Sequence, residues 1–194
     1  MVAPPQFTVQ PLRSARLNLE PLRVDHAAEA AVVFDDERLH RYIGGAPAGE
    51  EELRQRYAQQ VAGRSSDGRE LWLNWMVRHR ASGALVGTVQ ATVRHRPHGG
   101  GVAELAWTVA TQHQHRGYAQ EAAGAMVTWL QSCGVDRFVA HVHPEHRASI
   151  GVARTLGLSP TATVVDSEIR WVDGEPRRPR SPVAHHDTHP GHEL

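Results

Sequence analysis

The run Ala103-Glu104-Leu105-Ala106-Trp107-Thr108-Val109-Ala110, followed closely by Gln114-His115-Arg116-Gly117-Tyr118-Ala119, decides how this chain folds. The first run is extended and apolar. The second opens a helix over about Gly117 to Ser132 that carries Ala122, Ala123, Met126, Val127 and Leu130 at helical spacing. A strand therefore feeds a helix N-terminus. The first amides of a helix have no acceptor within it and sit at the positive end of its dipole, so this turn is a natural seat for a phosphate or pyrophosphate. Gly117 permits close approach of the backbone, and Ala119 keeps the first helical turn open to the same ligand.

Outward from this junction the chain alternates strands and helices. Upstream, Leu17, Leu19 and Leu22 mark a first strand, and Asp25 is placed to cap a helix running to about Phe34. Asp36 restarts a short helical piece towards Tyr42, and Glu50 to about Ala62 forms another helix with an acidic first turn. Strands over 71–78 and 84–93 follow, joined by a turn containing Ser82-Gly83, and Gly99-Gly100-Gly101 reads as a hairpin turn rather than a phosphate cradle. Downstream, 137–142 is a short strand, 147–156 a helix stopped by Gly157, and 161–165 with 168–172 a closing hairpin. Residues 1–13 read as an N-terminal lead-in, 14–172 as one domain, and 173–194, rich in Pro, Arg and His, as a disordered tail.

Composition narrows the function classes. With Lys+Arg 21 against Asp+Glu 21 the formal net charge is zero, so no global field draws the protein to nucleic acid or to an anionic membrane. All of the basic residues are arginine. Cys133 is the only cysteine, which excludes an internal disulfide and a cysteine zinc cluster. No apolar run approaches the ~20 residues that span a bilayer, and the N-terminus lacks the charged-then-apolar order of a signal peptide. The expectation is a soluble, cytoplasmic protein. Histidines 113, 115, 141, 143 and 146 invite a metal reading, yet no carboxylate or cysteine completes a ligand set, so no metal is expected; His185, His186, His189 and His192 in the tail would bind metal only adventitiously.

The Gln-x-x-Gly-x-Ala pattern after the strand, the segment from Val142 to Leu158 ending in Leu156-Gly157-Leu158, and the opening Ala15 to Leu22 with Asp25-His26-Ala27 together resemble the GNAT superfamily of N-acetyltransferases, in its RimJ/RimL-like branch. The likeness runs from about Ala15 to Val172. It implies an α/β fold with a mixed, mostly antiparallel sheet of six or seven strands and helices on both faces. It also implies acetyl-CoA as cosubstrate, with amides of about His115 to Ala119 on its pyrophosphate and edge groups of Trp107, Thr108 and Val109 on its pantetheine. Gln114, Arg116, Gly117, Tyr118 and His146 complete the expected cofactor contacts. His146 stands where the family commonly has asparagine, and His115 where many members have glycine.

Acetyl transfer from a thioester to an amine needs a held donor, a deprotonated amine and a proton for the departing thiolate. By the same resemblance Glu104 is the candidate general base and Ser149 the candidate proton donor; their other readings are an exposed strand-end carboxylate and an ordinary polar residue of a helix's first turn. Trp75 and Trp107 are core residues by default and candidates for the acceptor pocket. The expected reaction is direct attack of a primary amine on the thioester in a ternary complex. The alternatives are a catalytically inactive acyl-CoA-binding module and a transferase using a longer acyl-CoA such as succinyl-CoA. The acceptor is an amine, a protein N-terminus or a small molecule, and the resemblance allows a homodimer that no residue specifies.

Overall fold

In a computed structural model of the protein, residues 8–96 and 99–174 are described. The tail expected over 173–194 falls almost wholly outside them. Eight strands form one sheet: β1 (Leu12–Arg13), β2 (Leu17–Pro21), β3 (Glu70–His79), β4 (Leu85–His95), β5 (Gly101–Val109), β6 (Val135–Val142), β7 (Leu158–Val165) and β8 (Glu168–Asp173). Among the described residues five α-helices complete it: α1 (His26–Val33), α2 (Glu37–Ile43), α3 (Glu50–Gln60), α4 (Tyr118–Ser132) and α5 (Arg147–Thr155). The strand order is β1-β2-β3-β4-β5-β6-β8-β7, and β5 with β6 is the parallel pair in an otherwise antiparallel ladder. The sheet thus has the expected character with more strands than the expected six or seven.

The additional short strand β1 lies in the stretch read as a lead-in. Leu12 and Arg13 pair with Leu19 and Asn18, and the indole Nε1 of Trp75 donates to Gln10 O at 2.8 Å. A two-residue strand has no periodicity to reveal it, and the Trp75 indole that anchors this stretch comes from 65 residues along the chain. Likewise Asp173 belongs to β8, and its carboxylate accepts from Phe138 N at 3.2 Å.

Both faces of the sheet are covered. On one, α4 buries Tyr118, Ala122, Ala123, Met126, Val127 and Leu130, spaced to form a single stripe against Leu73, Trp75, Val89, Ala91 and Leu105. Leu130 is fully buried, and truncating it to alanine would cost about 3 kcal/mol. On the other face α1 and α3 pack Ala27, Ala30, Leu53 and Tyr57 over Met76 and Leu85. Asp36 caps α2 as expected, its carboxylate accepting from Arg38 N at 3.0 Å. Asp25 does not cap α1: its backbone is already helical, its side chain makes no cap bond, and its carboxylate accepts from Arg23 Nε instead. Among the described residues no helix is long and apolar enough to cross a membrane.

Candidate active site

The parallel pairing of β5 with β6 reaches only from Gly101 to Glu104, opposite Val135 to Val139. Beyond Val139, β6 continues alongside β8, from Val139↔Val172 to Val142↔Ile169. The two strands diverge, and among the described residues Leu105–Val109 has a strand neighbour on its β4 side alone. Ala110 N donates to Val86 O at one end of the β4–β5 ladder and Arg96 N to Gly100 O at the other. These bonds fix the alternation: Ala106 and Thr108 turn their main chains towards β4, while Trp107 and Val109 turn theirs into the gap. Thr108 thus reaches the gap through its side chain rather than its amide edge. Gly87 keeps β4 tight against β5, since a Cβ there would lie 2.3 Å from Thr108 O.

The gap opens onto the N-terminus of α4. A short 3₁₀ turn (Thr111–His113) follows β5, and the carboxamide of Gln114 donates to Val109 O at 3.0 Å, tying the loop to the strand end. His115 and Gly117 both have left-handed backbone, with φ of 61° and 76°. Among the described residues the amides of His115 to Gln120 reach no protein acceptor at ordinary hydrogen-bond geometry. A cradle of bare N–H groups at a helix start fits a diphosphate.

A cleft of about 360 Å³ joins these parts, lined by Trp107, Thr108, Val109, His113, Gln114, His115, Gly117, Tyr118, Ala119, His146 and Ser149 among others. None of its lining residues is Asp or Glu, which suits an anionic occupant. Arg116 is not in the lining; its side chain is exposed and its carbonyl accepts from Arg16 Nη1 at 3.0 Å. Arg16 also pairs with Glu121, Nε to Oε2 at 2.7 Å, and its guanidinium lies over the Tyr118 ring at 4.9 Å. Burial raises the Glu121 carboxyl, but hydrogen bonds from Ser14 and Arg16 outweigh it and hold it below the usual carboxylate range.

Ser149 lies in the first turn of α5 with its hydroxyl facing the cleft, where Oγ accepts from Trp107 Nε1 at 3.3 Å. His146, at the N-cap of that helix, stacks on Tyr42 with ring centroids 4.5 Å apart and 16° between planes. Burial, with His143 beside it, pushes the His146 imidazole below its ordinary value. Burial and the charges of Arg116 and His79 do the same to His113. Glu104 lies apart from the cleft, with Oε1 3.2 Å from His141 Nδ1 and Oε2 3.5 Å from Arg94 Nη1.

The structure adds Arg38, Leu39 and Tyr42 of α2 to the cleft wall, which sequence reading assigned to no cofactor contact. An aromatic near the end of a capped helix was the available signal, but nothing local told which element it would face. Among the described residues no group of three or more His, Cys, Asp or Glu gathers as a metal site.

Residues 16–159 match the model of the acetyltransferase (GNAT) domain family. No curated protein sequence matches the chain. Among solved structures, the chain is similar to an acetyltransferase from Agrobacterium tumefaciens at 26% identity, covering 88% of this chain and 97% of that one with a TM-score of 0.64. It is similar in fold to Mycobacterium smegmatis RimJ in complex with a CoA disulfide, at 19% identity, 84% and 85% coverage and a TM-score of 0.68. RimL, a ribosomal-protein alpha-N-acetyltransferase solved with coenzyme A, gives 14% identity, 84% and 97% coverage and a TM-score of 0.68. With the match covering most of the chain and the bare amide cradle in place, the protein belongs to the GNAT acetyltransferase family, an acyltransferase whose cosubstrate is acetyl-CoA.

Proposed function

We propose that the protein moves an acetyl group from acetyl-CoA to a primary amine by direct attack within a ternary complex, with a protein or peptide N-terminal α-amine as the acceptor class. The observation that carries this reading is the continuity of one cleft from the bare amides at the start of α4, past the main chain of Trp107 and Val109 that has no strand neighbour on that side, to the Ser149 hydroxyl. The cosubstrate supplies an activated acyl group on a good leaving thiolate. The amides of His115 to Ala119 hold its diphosphate, and Trp107 and Val109 offer strand-like donors and acceptors to its amide arm.

Ser149 accepts from the Trp107 indole, which leaves its own O–H to donate to the departing sulfur. Glu104 takes the proton from the acceptor ammonium through water. Its carboxylate is 40% exposed and held by His141 and Arg94. The single cysteine and the lack of a membrane-crossing helix among the described residues fit a cytoplasmic setting.

A screen of amine acceptors with acetyl-CoA, reading free thiol release and acetylated product together, tests the reading. Transfer to at least one α-amine at a rate above hydrolysis is expected. Binding of CoA by calorimetry with no amine-dependent thiol release would leave a binding module instead. Competition between acetyl-CoA and succinyl-CoA fixes the acyl preference.

A further inference from the structure

A second cavity, of about 210 Å³, lies between the sheet and α1–α3 and shares Thr108 and Leu39 with the cofactor cleft. On its sheet side Asn74 of β3 stands opposite Gln90 of β4 as its register partner, so the two carboxamides share one face side by side. The same row continues through Gln90↔Ala106, where a small exposed side chain leaves the way open along the sheet. The row above runs Met76–Thr88–Thr108 and the row below Trp72–Thr92–Glu104. Rows on one face are two residues, roughly 7 Å, apart. The two carboxamides therefore sit between Thr108 at the cofactor cleft and Glu104, the proposed base.

Neither carboxamide has a protein hydrogen-bond partner among the described residues. Each offers N–H donors and a C=O acceptor, so the pair complements a group that itself carries both. A carboxylate offers acceptors alone and would leave both amide oxygens without a donor, and Arg56, which lines this cavity, is already paired with Glu52 Oε1 at 2.6 Å; a second ammonium offers donors alone. Among the described residues no Asp or Glu lines this cavity to receive a second cation.

We infer that Asn74 and Gln90 form the specificity-determining pair of the acceptor site, reading an uncharged amide next to the reacting amine. The acceptors selected are then α-amino amides, whether the first peptide unit of a polypeptide or a small aminoacyl amide, over free α-amino acids, simple alkylamines and polyamines. This inference rests on the acetyl-transfer reading and deepens it.

The test is a matched acceptor series assayed with saturating acetyl-CoA: alaninamide, an Ala-initiated tetrapeptide, free alanine, propylamine and spermidine. The wild-type protein is expected to favour the two amides over alanine and propylamine by about tenfold or more in kcat/KM, the value of roughly one directed hydrogen bond. Asn74→Ala and Gln90→Ala should each lower kcat/KM for the amides about tenfold through KM, leave propylamine nearly unchanged, and leave the KM for acetyl-CoA unchanged. Neither side chain bonds to the protein, so both variants should melt with the wild type. Gln90→Glu should shift preference towards spermidine. A tetrapeptide preferred over alaninamide marks the polypeptide source, and equal use marks the small-molecule source. Equal use of amides and free alanine, or an equal loss on every acceptor in both alanine variants, overturns this inference alone. If no acceptor is acetylated at all, the transfer reading fails and takes the inference with it.

Discussion

The indole Nε1 of Trp107 and the hydroxyl Oγ of Ser149, forty-two residues apart in sequence, meet at 3.3 Å across the cleft between β5 and α5. The bond fixes which lone pair of Ser149 is occupied and frees its proton for the cleft. Replacing Ser149 by alanine is expected to lower kcat about 10²-fold with little change in the KM for acetyl-CoA, the signature of a lost proton donor. Trp107→Phe, which keeps the ring and removes the donor, should lower kcat by less than Ser149→Ala. Steady-state thiol release measures both. Unchanged kcat in Ser149→Ala would remove Ser149 from the chemistry.

Arg16, immediately before β2, ties that strand to the turn ahead of α4 by holding Glu121 and the Arg116 carbonyl together. Glu121 places a negative charge in the first turn of the helix proposed to receive the diphosphate, and Arg16 offsets it. Arg16→Met should weaken CoA binding about fivefold, on the order of 1 kcal/mol. Arg16→Met combined with Glu121→Gln should recover most of that loss. Calorimetric titration with CoA reads both, and equal affinities across the set would remove the pair from cofactor recognition.

His115 occupies left-handed backbone with φ of 61°, which disfavours a residue bearing a Cβ by roughly 1–2 kcal/mol. Glycine there gives back part of that through its floppier unfolded chain. His115→Gly should therefore raise stability by up to about 1 kcal/mol, seen as a higher Tm. If the imidazole also meets a phosphate, CoA affinity falls in the same variant; if not, it holds.

Acid should destabilise the fold through His26. This side chain is 3% exposed, accepts from Arg23 N at 3.1 Å through Nδ1, and leaves Nε2 without a hydrogen bond. Burial first, and then the neighbouring Arg23, pushes its pKa below 6.5. The unfolded chain therefore binds more protons than the folded one as pH drops through 6.5, so stability is full above that value and declines below it. His113 and His146 are lowered too and act in the same direction. Thermal melts between pH 8 and pH 5 should show Tm falling on the acid side, with a shallower fall in His26→Asn even where its absolute Tm is lower. A Tm rising towards pH 5.5 would contradict this.

The positions of α4 and α5 were legible because their apolar residues recur at helical spacing and glycines stand at their ends. The turn at Gly117 and the helix start after it were legible because their signal lies within six consecutive residues. Asp25 misled because a capping residue type says nothing about its backbone, which here is helical, or about Arg23 two residues away drawing off its carboxylate. Strand β1 was missed because a two-residue strand is made by its partner rather than by its own pattern. The same holds for Tyr42, whose contact with His146 joins residues 104 positions apart.

The sequence by itself determined the order of strands and helices, the helix-opening turn at Gly117 and the apolar stripe that seats α4 beneath the sheet, because periodicity and helix-end chemistry act over a few residues. Only the tertiary structure decided that β5 and β6 part after Glu104, that Trp107 rather than Thr108 turns its main chain into the gap, and that Asn74, Gln90 and Glu104 stand in neighbouring rows. Register and divergence are set by hydrogen bonds between strands, and no pattern within one strand carries that information.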